Sequence, residues 1–344
     1  MREATIKPIS RRSFALGAGA VAAASVVPGR RARAAAPIEL RQFHNQAPDS
    51  PLHKRLSEMW AAVERETGGK VKVRVFPEND HVPGSDPKAF EMLRSGALEF
   101  FTLMGGLISE AVPVADIQGI PFSFRDRTQV YAALDGDLGD LVRAECMAKG
   151  IYAVPGGCFE NGFRQITSRN APVREAADLK GVKIRIPAGA LFEDLFKTLG
   201  AEPIAINSID IHDALKSGRV DAQENPLYLV ESFKIYEYQR YVSLTSHMWS
   251  GFNLIANLEH WRSLPEDVRA SVARNAPKFV KLQREDNTAA NLAMEEGLKK
   301  RGMEVVEPDK ASFRPPLADF YRRWKERVGG KAWAILENHV GRLG

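Results

Sequence analysis

Cysteine is nearly absent from this 344-residue chain, which has only Cys146 and Cys158. Two cysteines cannot build a disulfide-stapled scaffold, and their spacing is not that of a zinc site. An oxidising compartment would permit a bond between them, but free cysteine is among the most buried residue types, so two buried thiols is the preferred reading. The seven histidines, at 44, 53, 81, 212, 247, 260 and 339, form no H-x-x-x-H or H-E-x-x-H pattern, and no G-x-S-x-G elbow occurs. These absences argue against metal-assisted hydrolysis and acyl transfer, so no catalytic residue, cofactor or metal is expected. Beyond the N-terminal stretch no apolar run approaches the length needed to cross a bilayer.

The first residues carry SRRSFAL (residues 10–16), a twin-arginine sequence, then a Gly/Ala-rich stretch to Val27 and small residues at 32–36. This reads as an export signal of the twin-arginine type over residues 1–34, cut after Ala34, with the mature chain in the periplasm. A membrane anchor is the alternative, but the stretch is short and rich in glycine and alanine. The signal holds seven basic residues (Arg2, Lys7, Arg11, Arg12, Arg30, Arg31 and Arg33) and one acid, Glu3. Without it the 48 basic and 43 acidic residues become 41 and 42, and the net charge falls from +5 to −1. The basic balance therefore belongs to the signal and gives no argument for a nucleic-acid partner. GAGAVA (residues 17–22) mimics a dinucleotide fingerprint, but no strand precedes it.

Most information lies in residues 179–226, LKGVKIRIPAGALFEDLFKTLGAEPIAINSIDIHDALKSGRVDAQENP. In VKIRIP, Val182, Ile184 and Ile186 alternate with Lys183 and Arg185, the period of a strand with different chemistry on its two faces. Arg185 thus points away from the apolar face, and Pro187 and Gly189 place it at the strand's carboxyl end, where open α/β sheets bind ligands. The next helix buries Leu191, Phe192, Leu195, Phe196 and Leu199 and stops at Gly200. Asn207 or Ser208 caps a second helix that ends at Gly218. Upstream, residues 38–43, 71–76 and 98–104 read as strands alternating with helices over 51–67 and 86–95. Further elements are a helix over 129–149, strands at 152–154, 159–167, 242–245 and 251–257, and a long helical run over 265–300 interrupted by Pro277. The alternation predicts an α/β fold with parallel sheets, and about 310 mature residues suit two lobes.

The motifs KIRIP (183–187), FKTLGA (196–201) and DAQENP (221–226) resemble the solute-binding proteins of tripartite ATP-independent periplasmic (TRAP) transporters, the DctP-like family. SPLHK, TGGKVKVRVFP, RSGALEF, IPFSFRD, ENGFRQITS and LPEDVR extend the resemblance, in order, over nearly the whole mature chain. It implies a two-lobed periplasmic binding protein of the Venus-flytrap type, with a long helix spanning both lobes. Lobe I is expected over 35–161 plus 251–290, and lobe II over 162–250 plus 291–344. The implied function is capture of a small organic acid between the lobes and delivery to the TRAP permease subunits, with a monomer as the default for a diffusing carrier.

Arg185 matches the arginine that holds the ligand carboxylate in this family, a task suited to a planar guanidinium making two parallel hydrogen bonds. Periodicity alone also allows it to be a surface arginine or half of an ion pair. Arg164 matches a second arginine facing the crevice, although an arginine there could equally tie the lobes together. Asn225 matches an amide that completes the cradle, while Gln223 and Glu224 are read as capping a turn. From strand ends and helix starts come His44, Asn45, Asp86 and Met104, and Trp249 could stack on a ligand. Ser208 and Met104 stand where the family often has an aromatic and a polar residue, and Asp210 and His212 replace the common Glu and Tyr. The apolar Met104 points to a ligand less hydroxylated than a sialic acid. Two other functions fit the same sequence: a binding protein feeding a sensor kinase, and an exported enzyme, which the missing motifs disfavour.

Overall fold

Alternating apolar positions build short strands at both ends of one sheet, and two long strands join the ends. The computed structural model describes residues 36–343; the expected signal over 1–34 lies outside the described residues. The first run is β1 (Ile38–His44), α1 (Pro51–Glu66), β2 (Val71–Phe76), α2 (Ser85–Ser95) and β3 (Phe100–Met104). Then come α3 (Gly105–Ile108), α4 (Arg127–Leu134), α5 (Asp137–Ala148) and the long β4 (Ile151–Ser168). The second run is β5 (Lys183–Ile186), α6 (Ala190–Thr198), β6 (Glu202–Ala205), α7 (Ile211–Lys216) and β7 (Ala222–Asn225). After α8 (Leu227–Ser232) come β8 (Tyr241–Asn257), α9 (Leu258–Ser263), α10 (Glu266–Lys300), β9 (Glu304–Val306), α11 (Ala318–Val328) and α12 (Gly330–Val340).

The strand order is β2-β1-β3-β8-β4-β7-β5-β6, with β9 also on β8. The pairs β1–β2, β1–β3, β5–β6 and β5–β7 are parallel, and β4 runs antiparallel to β8 and β7. Each βαβαβ run therefore sits at one end of the sheet, and β4 and β8 pass between them. Their pairing slips between Ala153 and Cys158, Glu160 and Gly162, and Arg164 and Ile166. Such bulges bend a strand without ending it. This is why each strand pair expected as two pieces, 152–154 with 159–167 and 242–245 with 251–257, is one continuous strand.

The single helix expected over 129–149 is two, because Gly136 leaves helical dihedrals (φ −102°, ψ −145°) and starts α5 on a new axis. The 35-residue α10 continues through Pro277. Gly156 is required opposite it, since a Cβ there would lie 2.9 Å from the Pro277 ring. α10 packs on α1 and β4 at one end and on α8 and β9 at the other. Its buried Gln283 accepts from Glu160 N and donates to Glu160 O, both at 2.8 Å, and Asn291 accepts from Tyr228 N at 3.2 Å. α12 packs on α4 and α5, and α11 on the 113–119 turn. α12 thus lies against first-half elements, while α11 also touches α6, where Trp324 Nε1 donates to Asp194 at 2.7 Å, so the 291–344 segment is not wholly with the second half as expected. Both thiols are free and buried, and burial pushes each up to about 12.

Asp116, in the same turn, is fully buried, and neither carboxylate oxygen has a hydrogen-bond partner. Burial pushes its carboxyl up to about 7; Ser109 and Arg327 offset this only in part. The folded chain therefore keeps this proton up to about pH 7, whereas the unfolded chain releases it near its ordinary 3.8. The stability it allows is complete below pH 4 and is lost as pH rises toward 7. The shift caps the loss at about 4 kcal/mol, and a buried amide lacking partners would recover only part of it. Asp116→Asn is thus expected to add about 1–2 kcal/mol at pH 8, a few degrees of melting temperature, and nothing at pH 4.5. Equal destabilisation at both pH values would mean that the carboxylate is engaged.

Candidate functional site

At the bends of β4 and β8 the two halves enclose a tight cavity of about 20 Å³, space for about one water molecule. The first half contributes Asn45, Gln46, Asp86 and Met104, and the second Arg185, Pro187, Ser208, Asn225, Leu229 and Phe233. Asn161, Arg164 and Phe252 come from the bridging strands. A larger open groove lies beside α10, lined by Val280, Thr288 and Leu292. Its Arg284 is held by Asp135 at 2.6 Å and its other charges, Lys281 and Glu285, are exposed, whereas the smaller cavity holds buried charge.

Arg185 lies in register with Ile204 and Gln223 of its neighbouring strands and is 3 % exposed. Among the described residues its one hydrogen bond runs from Nε to the Ile206 carbonyl, 2.8 Å, and it has no carboxylate within ion-pair distance. Burial pulls this guanidinium down to about 9; Arg164 pulls the same way, while Glu224 and Asp86 act against it. A cation held in a closed space with its fork uncommitted is a receptor for an anion.

Arg164 is committed differently. Its Nε and Nη2 grip both oxygens of Glu224, the second at 2.7 Å, and Nη2 also donates to the Glu224 carbonyl at 2.9 Å and Asn225 Oδ1 at 3.2 Å. Its Nη1 reaches Ser250 Oγ at 3.2 Å and the Met104 sulfur at 3.8 Å. His247 Nε2 lies 3.2 Å from the same carboxylate, and Thr245 Oγ1 lies 2.8 Å from Nδ1. An ionised Glu224 only accepts, so Nε2 must carry the proton. Burial works against the Glu224 charge, but Arg164 and His247 outweigh it and hold its carboxyl below the usual range. His247 itself is pushed down by burial, leaving it neutral. Glu224, expected to cap a turn, is instead the internal counter-charge of Arg164.

Opposite these groups, Asp86 accepts from Asn45 Nδ2 at 2.8 Å and from Asn79 Nδ2 at 2.6 Å. Asn79 comes from a turn in which Glu78, Asn79, Asp80 and His81 all have φ of 52–54°, a left-handed path unfavourable for residues with a Cβ. Asn161 Nδ2 donates to Ser250 Oγ at 3.0 Å and lies 3.8 Å from the Met104 sulfur. Asn225 Nδ2 donates to Gln223 Oε1 at 2.6 Å.

The sequence profile described as "Bacterial extracellular solute-binding protein, family 7", DctP, matches residues 43–327. The chain belongs to this family. It is 29% identical over 261 residues to the 2,3-diketo-L-gulonate-binding periplasmic protein YiaO of Escherichia coli (strain K12), covering 76% of this chain and 78% of the relative. It is 27% identical over 330 residues to the C4-dicarboxylate-binding periplasmic protein DctP of Rhodobacter capsulatus, covering 94% and 96%. A TRAP periplasmic solute-binding protein from Polaromonas sp. JS666, solved bound to D-erythronate, superposes with a TM-score of 0.82 at 29% identity, over 87% of this chain and 98% of that one. The α/β architecture is thus that of the two-lobed solute-binding proteins.

Within this DctP-family chain the cavity brings together seven of the nine residues singled out from sequence: Asn45, Asp86, Met104, Arg164, Arg185, Ser208 and Asn225. His44 and Trp249 are not in its lining. His44 turns toward α1, with Nε2 2.9 Å from His53 Nδ1, and burial pulls it down to about 3. Trp249 is 2 % exposed and donates to Glu160 Oε2 at 2.9 Å, so its ring packs inside the sheet bend rather than stacking on a ligand. Gln46, Asn161, Pro187, Leu229, Phe233 and Phe252 were not anticipated. Asn161 and Pro187 had signals, in the ENGFR and KIRIP motifs; Leu229 on α8 and Phe233 at its end read as ordinary packing.

Proposed function

We propose that this chain is the extracytoplasmic binding protein of a TRAP transport system, capturing a small organic acid on Arg185 and passing it to the membrane permease. The observation that carries this reading is the uncommitted guanidinium of Arg185 inside a cavity walled by both halves. A carboxylate docks on the fork, the Asn225 amide stands beside it, and first-half residues close over the remainder of the molecule. Closure excludes water and strengthens the charged contact. The lobes divide near 161/162 and 250/251, where β4 slips against Ser250 and Gly251, with α12 moving with the first lobe and α11 touching both. Export by the twin-arginine signal, residence in the periplasm and a monomeric state belong to the same proposal. No helix among the described residues is long and apolar enough to cross a membrane.

Thermal melting of the purified protein against a panel of small organic acids tests this. A true ligand at a hundredfold its dissociation constant adds about 2.7 kcal/mol, a shift of a few degrees. A panel of carboxylates that leaves the melting temperature where it was would overturn the proposal.

A further inference from the structure

The charges around the cavity are unevenly committed. Arg164 is matched by Glu224 and burial pushes His247 down, so among the described residues Arg185 is the one cation in the cavity lining without a carboxylate partner. Across the same cavity stands Asp86, held by two amides, one supplied by a left-handed turn. Such a carboxylate, fixed by Asn45 and Asn79 and still lining the cavity, is an acceptor prepared for a donor. Burial pushes the Asp86 carboxyl up, and the amides of Asn45 and Asn79 and the charge of Arg185 act against that; no ion pair joins Asp86 to Arg185, so each keeps capacity for a ligand. A second ligand carboxylate would meet Asp86 and find no cation.

Resting on the proposed function, we infer that Asp86 sets specificity: it accepts hydroxyl hydrogen bonds from the far end of a ligand whose single carboxylate sits on Arg185, and it turns away dicarboxylates. The favoured class is the short hydroxylated monocarboxylates, of sugar-acid type, whose carbon skeleton runs along Met104, Pro187 and Phe252. A site built around a ligand hydroxyl discriminates strongly against an analogue lacking it, because the buried acceptor is then left unpaired. The C4-dicarboxylate habit of one relative is therefore not expected here.

Calorimetric titration of the purified wild-type protein with D-erythronate, D-galactonate, n-butyrate and succinate tests the inference. At least one hydroxylated monocarboxylate should bind more than about 100-fold tighter than both butyrate and succinate. Asp86→Asn, checked for folding by circular dichroism, should weaken the hydroxylated acid by about 10- to 100-fold and narrow its lead over succinate. Succinate binding as tightly as the best hydroxylated acid, or a lead unchanged in Asp86→Asn, overturns this assignment and leaves Arg185 as carboxylate receptor intact. If no acid in the set binds, the assignment and the proposed function fail together. Should the variant not fold, the wild-type ratios still decide.

Discussion

Arg185→Ala is expected to lose about 2–5 kcal/mol of affinity for the bound acid, roughly 30-fold to several-thousand-fold, while the unliganded protein melts no lower than wild type. The two halves of this expectation share one cause. In the closed cavity the guanidinium has only the Ile206 carbonyl as partner, and burial holds it at about 9. Its folded pKa lies below the unfolded one, so at neutral pH the folded state carries the charge at a disadvantage. Removing the side chain relieves that, whereas an anion docked without it would be buried unpaired. Arg185→Lys keeps the charge but not the two parallel donors, and should recover only part of the affinity. Calorimetry reads the affinity, and a melt without ligand reads the stability. Affinity within about threefold of wild type in Arg185→Ala would remove the carboxylate receptor from this site.

Arg185 was legible because its signal is local: a two-residue alternation ending at a proline places one polar side chain at a strand end. Asn45, Asp86 and Met104 were legible as ends of elements in a βαβαβ pattern and Ser208 as a helix cap, whereas Asn225 came from the resemblance of its motif. The Arg164–Glu224 pair was not. Its members lie 60 residues apart, and they meet because β4 pairs antiparallel with β7, setting Gln165 opposite Asn225 and Ile166 opposite Glu224. No periodicity along one strand reports the register of another. The same limit separates His44 and Trp249 from the ligand: one finds a histidine on α1, the other a glutamate across β4. The continuity of β4 was hidden by Pro155, Gly156 and Gly157, which read as a strand end in sequence and fall in a register slip of the sheet.

Glu224→Gln is expected to lower stability by about 3–5 kcal/mol, because Arg164 is 1 % exposed and would keep its charge with no counter-charge. For a chain of this size that is on the order of ten degrees of melting temperature. His247 would be affected with it: its Nε2–H now donates to a carboxylate, and an amide presents one oxygen to both Arg164 and His247. The loss has a specific signature. Freed from Glu224, the Arg164 fork becomes a second cation on the cavity wall beside Arg185, so a dicarboxylate such as succinate should stabilise Glu224→Gln by more degrees than it does wild type. Removing both charges in Arg164→Gln/Glu224→Gln should cost less than the sum of the single changes, since neither ion is then left alone in the interior. Thermal melts of the four proteins, with and without succinate, give both readouts. Additive losses and no gain in succinate response would mean that Glu224 is not what holds Arg164 away from the ligand, and that the cavity has two anion receptors rather than one.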